Sequence, residues 1–169
     1  MIYNIPKPMG SDAKEVFSFF GLCMYQAQVF EQEVVNLLAA LNVSKLINLN
    51  NNQVDDIFNN LRSKTLGVLV NDARKGIDIP DDVETEIIIA KNLRNALAHS
   101  FFVKHDANFL NESGRILMIE ELRETTAIIK KADALLNSIS SKLWSKFDLT
   151  EELIKSELYK MKHGDSSAR

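Results

Sequence analysis

Apolar residues recur in steps of four and three along the first quarter of the chain, at Val16, Phe20, Cys23, Ala27, Phe30, Val34, Leu37 and Leu41. That is the period of one helical face packed against a neighbour, so a long helix is predicted from Ser11-Asp12 to about Leu41, opened by Asp12 and Glu15 at capping-box spacing. The asparagine-rich stretch Asn48 to Gln53 predicts a connection, because asparagine bonds its own backbone in turns. Helical spacing returns at Ile57, Leu61, Leu66, Leu69 and Val70, with an interruption near Ser63 and a stop at Gly76. Pro80-Asp81-Asp82 opens the next helix, with Asp81 and Glu84 spaced as cap and third helical residue. The pattern lapses between Lys104 and Ile116, where Asn111-Glu112-Ser113-Gly114 reads as a turn joining two short extended pieces. From about Ile119 to Phe147 the apolar positions Leu122, Ile129, Ala132, Leu136, Ile139 and Leu143 predict another long helix. Thr150 is placed to cap a short last one, with Leu149 and Ile154 as its hydrophobic staple.

These elements predict an all-α fold, a compact bundle of about five helices with a short β-hairpin after the fourth. The chain has 169 residues, enough for one domain with a core shared by several helices. We place that domain at residues 12–161, between an N-terminal arm (1–11) and a polar tail (162–169). Hydrophobic residues are 46% of the sequence and charged ones 25%, the balance of a globular protein. A formal charge of −3 excludes the broad positive field of a general nucleic-acid coating protein, so any nucleic-acid contact must be local. Cys23 is the only cysteine and excludes an intramolecular disulfide; among apolar neighbours it reads as a small core residue, and a cytoplasmic setting is expected. Met1 to Gly10 lacks the apolar run of a signal peptide. The densest apolar segment, Val16 to Met24, falls well short of the roughly 20 residues that span a bilayer, so no membrane partner is expected.

The informative segment is Arg94-Asn95-Ala96-Leu97-Ala98-His99, late in the helix that Pro80 opens. At about 100 degrees per residue, Val83, Ile87, Ile89, Ala90, Leu93, Ala96 and Leu97 fill a wide apolar arc expected to face the core. Lys91, Asn92, Asn95 and His99 fall on the opposite arc, and Arg94 lies at the seam between the two. Ile88 and Phe102 share the polar wall, which predicts that a second protein surface covers it.

Arg94-Asn95, three residues, then His99 resembles the Arg-Asn-x-x-x-His signature of the HEPN superfamily. The resemblance implies a bundle of four or five helices and a homodimer whose motif helices face each other across a two-fold axis. In catalytic members it implies metal-independent endoribonuclease activity, in which a ribose 2′-hydroxyl attacks the neighbouring phosphate and leaves a 2′,3′-cyclic end. The residue types suit that chemistry. An imidazole, with an ordinary pKa of about 6.5, exchanges protons near neutral pH, which makes His99 the candidate acid or base. Arg94 would hold the phosphate and stabilise developing charge, and Asn95 would orient the imidazole or donate to a phosphate oxygen. Lys91 and Lys104 are the candidate substrate-binding cations. Arg94 and His99 diverge by about 140 degrees around one helix, so two facing copies are needed to converge them on one phosphate. RNA, a second copy and a cognate antitoxin or regulatory protein are the partners this implies, in a toxin–antitoxin or phage-defence setting. No cofactor and no metal are expected.

Other readings stand beside this one. Relatives with this fold also serve as noncatalytic modules that dimerise and bind a protein partner or a nucleotide. In a purely structural helical protein, Arg94 would lay its stem on the core and pair with a carboxylate such as Glu86, while His99 complements the last carbonyls of its helix. Lys104 could touch an RNA backbone, but Lys104-His105-Asp106, a short charged run after a helix, is more often a solvated loop. Three histidines without metal-ligand spacing give no zinc motif, the pairs Asp55-Asp56 and Asp81-Asp82 sit where first helical turns attract acids, and no glycine-rich phosphate loop is present.

Overall fold

A computed structural model describes residues 5–43 and 51–145. Among them are seven helices and no strand: α1 (Ala13–Val43), α2 (Asn51–Arg62), α3 (Leu66–Gly76), α4 (Asp81–His99), α5 (Phe101–Lys104), α6 (Asp106–Phe109) and α7 (Glu112–Ser145). The chain is an all-α bundle, and none of these helices is long and apolar enough to cross a membrane. The expected helix at Thr150, with its Leu149–Ile154 staple, lies outside the described residues.

The long helices begin where side chains can satisfy exposed amides. Asp12 Oδ1 accepts from the Glu15 amide at 2.8 Å, as the capping-box spacing predicts. The reciprocal half differs, because the Glu15 carboxylate accepts from the Met9 amide at 2.8 Å and thereby ties the N-terminal arm to α1. At α4 the capping position is Pro80, so Asp81 stands inside the first turn and its side chain does not cap. Asp81, Asp82 and Glu84 act there through the positive end of the helix dipole.

The predicted hairpin is absent. Asn111 Oδ1 accepts from the Gly114 amide and from Ser113 Oγ, both at 2.8 Å, which makes Asn111 the N-terminal cap of α7. A turn-forming asparagine thus starts a helix seven residues earlier than periodicity indicates. The supposed extended pieces are the single turns α5 and α6 and the first turns of α7.

Three helix pairings define the architecture. Helices α1 and α7 run side by side in the same direction, since Ser11 bonds Glu112 near their starts and Glu33 receives Ser140 Oγ near their ends. Helix α4 runs the opposite way across both, linked to α1 through Arg94–Glu31 and to α7 through Glu86–Lys131. The core lies between these three helices and α3. Phe30, Leu37, Leu122 and Leu136 are at most 1% exposed, and each buried side chain of this kind contributes about 1.5–3 kcal/mol. The α1 stripe read from sequence is buried throughout except for half-buried Phe20. Cys23 is buried as expected; burial pushes its thiol pKa up, partly offset by a hydrogen bond with Thr126.

One electrostatic flaw sits between α1 and α7. Glu33 is only 8% exposed and accepts from Ser140 Oγ and, at 3.1 Å, from Asn36 Nδ2. Asp133 faces it from α7, where burial first and the Glu33 charge second push its pKa up to about 6, with Lys130 opposing. The folded pKa exceeds the unfolded one, so Asp133 contributes stability below about pH 4 that is lost as the pH rises through about 6. Asp133→Asn is therefore expected to raise stability at pH 7 by on the order of 1 kcal/mol, a figure already discounted for solvent screening of a half-buried group. Thermal melts from pH 5 to 7 check this: the wild-type Tm should fall relative to that of the variant across that interval.

Candidate functional site

The motif occupies the last two turns of α4, and its side chains do not converge within one chain. Arg94 lies over α1, where its Nη2 is 2.9 Å from Glu31 Oε2, both side chains being 26% exposed. The carboxylate proposed for it from sequence, Glu86, instead pairs with Lys131 at 2.6 Å. The difference is angular: Glu86 lies about 80 degrees around the helix from Arg94, on the side that meets α7. Asn95 Oδ1 accepts from Arg94 Nη1 at 3.3 Å, which holds the second edge of the guanidinium and leaves the amide NH2 of Asn95 directed elsewhere. His99 is exposed on the outward side and has no side-chain partner among the described residues. Arg94 and His99 thus point into different surroundings, as their spacing around the helix requires.

The outward side of α4 is wider and more apolar than its wheel indicates. Ile89 and Ala96, expected in the core, are exposed, Ile89 to 40%. The reason is that α1, α3 and α7 cover only part of α4, a narrower arc than the apolar residues span. Phe102 goes the other way. It packs within the chain against Phe20 (4.9 Å between ring centroids), Phe17 (5.7 Å) and Phe101 (5.3 Å), so its presence needs no second protein to explain it. Ile88 is half-buried.

Of the two candidate substrate-binding lysines, Lys91 is half-buried beside the motif and has no partner among the described residues. Lys104 is on α5, where its ammonium meets both Glu121 oxygens, at 2.7 and 2.9 Å. The segment around it is not a solvated loop. His105 is 5% exposed, stacks on Phe101 at 4.8 Å, and has Nε2 3.0 Å from Glu121 Oε2 and Nδ1 3.0 Å from Asn108 Nδ2. These contacts anchor the chain just after the motif to α7, and they arise because Phe101 enters the core and carries the following turn inward.

Sequence reasoning did not select Glu31, 63 positions before Arg94. Its only signal is its place on the flank of the α1 stripe, one residue after Phe30. Glu31 also borders a shallow cleft of about 190 Å³ between α1 and the α2–α3 turn, lined by Gln28, Gln32, Arg62 and Lys64 as well. Among the described residues no three His, Cys, Asp or Glu side chains gather as a metal site would require. Compared with known proteins, the chain matches no family model, no curated protein and no solved structure.

Proposed function

We propose that this chain is a HEPN-like homodimeric endoribonuclease, independent of metal, that cleaves RNA through attack of a ribose 2′-hydroxyl on the adjacent phosphate. The observation that carries this reading is the outward side of α4. From Thr85 to His99 it presents Thr85, Ile89, Asn92, Ala96 and His99, all exposed and none an Asp, Glu, Lys or Arg, in a chain whose residues are 25% charged. A helix face without charges, with Ile89 and Ala96 open to solvent, is suited to burial against its own symmetry mate. Two such faces in contact would set the His99-bearing sides of the two α4 helices against each other across a two-fold axis.

In that arrangement His99 takes the proton of the attacking 2′-hydroxyl or gives one to the departing 5′-oxygen. The new bond joins the 2′-oxygen to phosphorus, and the bond from phosphorus to the 5′-oxygen breaks. Arg94 stabilises the added negative charge, and the amide NH2 of Asn95 supplies a further donor. The setting of a toxin held by a cognate antitoxin, or of phage defence, rests on the motif resemblance alone.

A second reading, a noncatalytic dimeric module binding a protein partner or a nucleotide, draws support from the Arg94–Glu31 ion pair, because that guanidinium already has its charge answered within the chain. One experiment separates them: a mixed RNA pool is incubated in EDTA with the purified protein and with folded His99→Ala and Arg94→Ala variants. Cyclic-phosphate ends made by the wild type and by neither variant support the nuclease; an inert wild type across diverse RNAs leaves the binding module. The interface has its own test. Ala96→Arg places a like charge on each of the paired faces, which costs several kcal/mol, so light scattering should show a monomer with an unchanged helical spectrum. A dimer that persists in Ala96→Arg would move the interface away from α4.

A further inference from the structure

The strongest unassigned feature beside the motif is the carboxylate that holds Arg94. The guanidinium is gripped on two edges, with Nη2 on Glu31 Oε2 at 2.9 Å and Nη1 on Asn95 Oδ1 at 3.3 Å. A guanidinium has five N–H donors in a rigid plane, so these two bonds fix the orientation of that plane and leave three donors for another acceptor. Glu31 comes from a different helix, and at 26% exposure the pair is shielded enough for its geometry to persist. Surface ion pairs between fully hydrated side chains lack that shielding and contribute little order.

We propose that Glu31 is a positioning residue for Arg94: it holds the guanidinium plane ready for an anionic phosphate oxygen before substrate arrives. This rests on the ribonuclease reading for its kinetic consequence and on the ion pair alone for its structural one. An arginine side chain gives up rotamer freedom when immobilised, and an ion pair that orders it beforehand removes that cost from the step in which charge develops. The Glu31 carboxylate also lowers the local positive potential. Its removal should therefore not weaken RNA binding, and the loss should fall on the chemical step.

The test compares Glu31→Ala with Glu31→Gln, which keeps an acceptor oxygen without the charge. In the free protein, 15N relaxation of the Arg94 side chain should show an ordered Nε–H in the wild type, near-wild-type order in Glu31→Gln and a mobile one in Glu31→Ala. In RNA cleavage, Glu31→Ala should lower kcat about 10- to 100-fold with KM unchanged or lower, and Glu31→Gln should recover most of kcat. Equal Arg94 mobility in wild type and Glu31→Ala overturns the proposal whether or not the protein cuts RNA. An inert wild type with an ordered Arg94 that Glu31→Ala frees would sink the nuclease reading and leave the positioning role standing. Faster cleavage by both variants would make Glu31 a charge that merely opposes the substrate, and the proposal would fail.

Discussion

On the proposed ribonuclease reading, His99→Ala should lower RNA cleavage by about 10²- to 10⁴-fold while leaving stability within about 0.5 kcal/mol of wild type. The two halves of this expectation have separate grounds. The kinetic half follows from removing the motif's one acid–base side chain. The stability half follows from position, since His99 is exposed at the end of α4 and has no partner among the described residues. Arg94→Ala should differ by losing activity and some stability together, because it strips half-buried Glu31 of its cation. The two variants also test the composite site. Heterodimers of an Arg94→Ala chain and a His99→Ala chain would hold one site with both groups intact, so equilibrated mixing should restore roughly a quarter of wild-type activity if each interface builds two independent sites. No recovery on mixing, with heterodimers shown to form, would mean that Arg94 and His99 act from the same chain.

Gly114→Ala is expected to cost about 3 kcal/mol or more, the upper range for overpacking, and to be the most damaging single methyl in the described chain. Gly114 lies in the first turn of α7, where its amide bonds Asn111 Oδ1 and an added Cβ would point at Asn108 of α6. A Cβ there would stand 2.5 Å from Asn108 Cα and 2.6 Å from its carbonyl carbon, with the Asn108 carbonyl oxygen closer still. These are backbone atoms, so no rotamer change relieves the clash, and α6 or the start of α7 must move. Asn108 also bonds His105, hence the damage should spread to the anchor behind the motif. Gly21→Ala in α1 and Gly67→Ala in α3 are the controls. Neither Cβ meets anything within 4 Å, and both should stabilise by about 0.5–1 kcal/mol through helix propensity. Urea unfolding of the three variants checks the contrast, and a Gly114→Ala midpoint equal to wild type would show that α6 yields at no cost.

The helices were legible because their signals are local. Steps of three and four at Val16 to Leu41 and Leu122 to Leu136 mark one buried face each, and the break at Ser63 appears as the gap between α2 and α3. The stretch from Lys104 to Ile116 is ambiguous in sequence for an equally local reason. A turn-prone Asn-Glu-Ser-Gly run is compatible with a hairpin and with a helix cap, and the choice depends on where Phe101 and Phe109 find burial. The wide apolar arc of α4 was legible as composition, but not as burial, since a single sequence does not say how many neighbours a helix has.

What the sequence determined by itself is the set of helical faces, the place of Arg94, Asn95 and His99 on one helix, and the angle that keeps Arg94 and His99 apart. Each follows from helical geometry over a few residues. Only the tertiary structure decided that Glu31 answers Arg94, that Phe102 turns inward to the aromatic cluster, that His105 is buried against Glu121, and that Ile89 and Ala96 face outward. Those facts depend on which helix lies across α4 and in what direction, a matter settled by the joint packing of α1, α4 and α7 and by no segment alone.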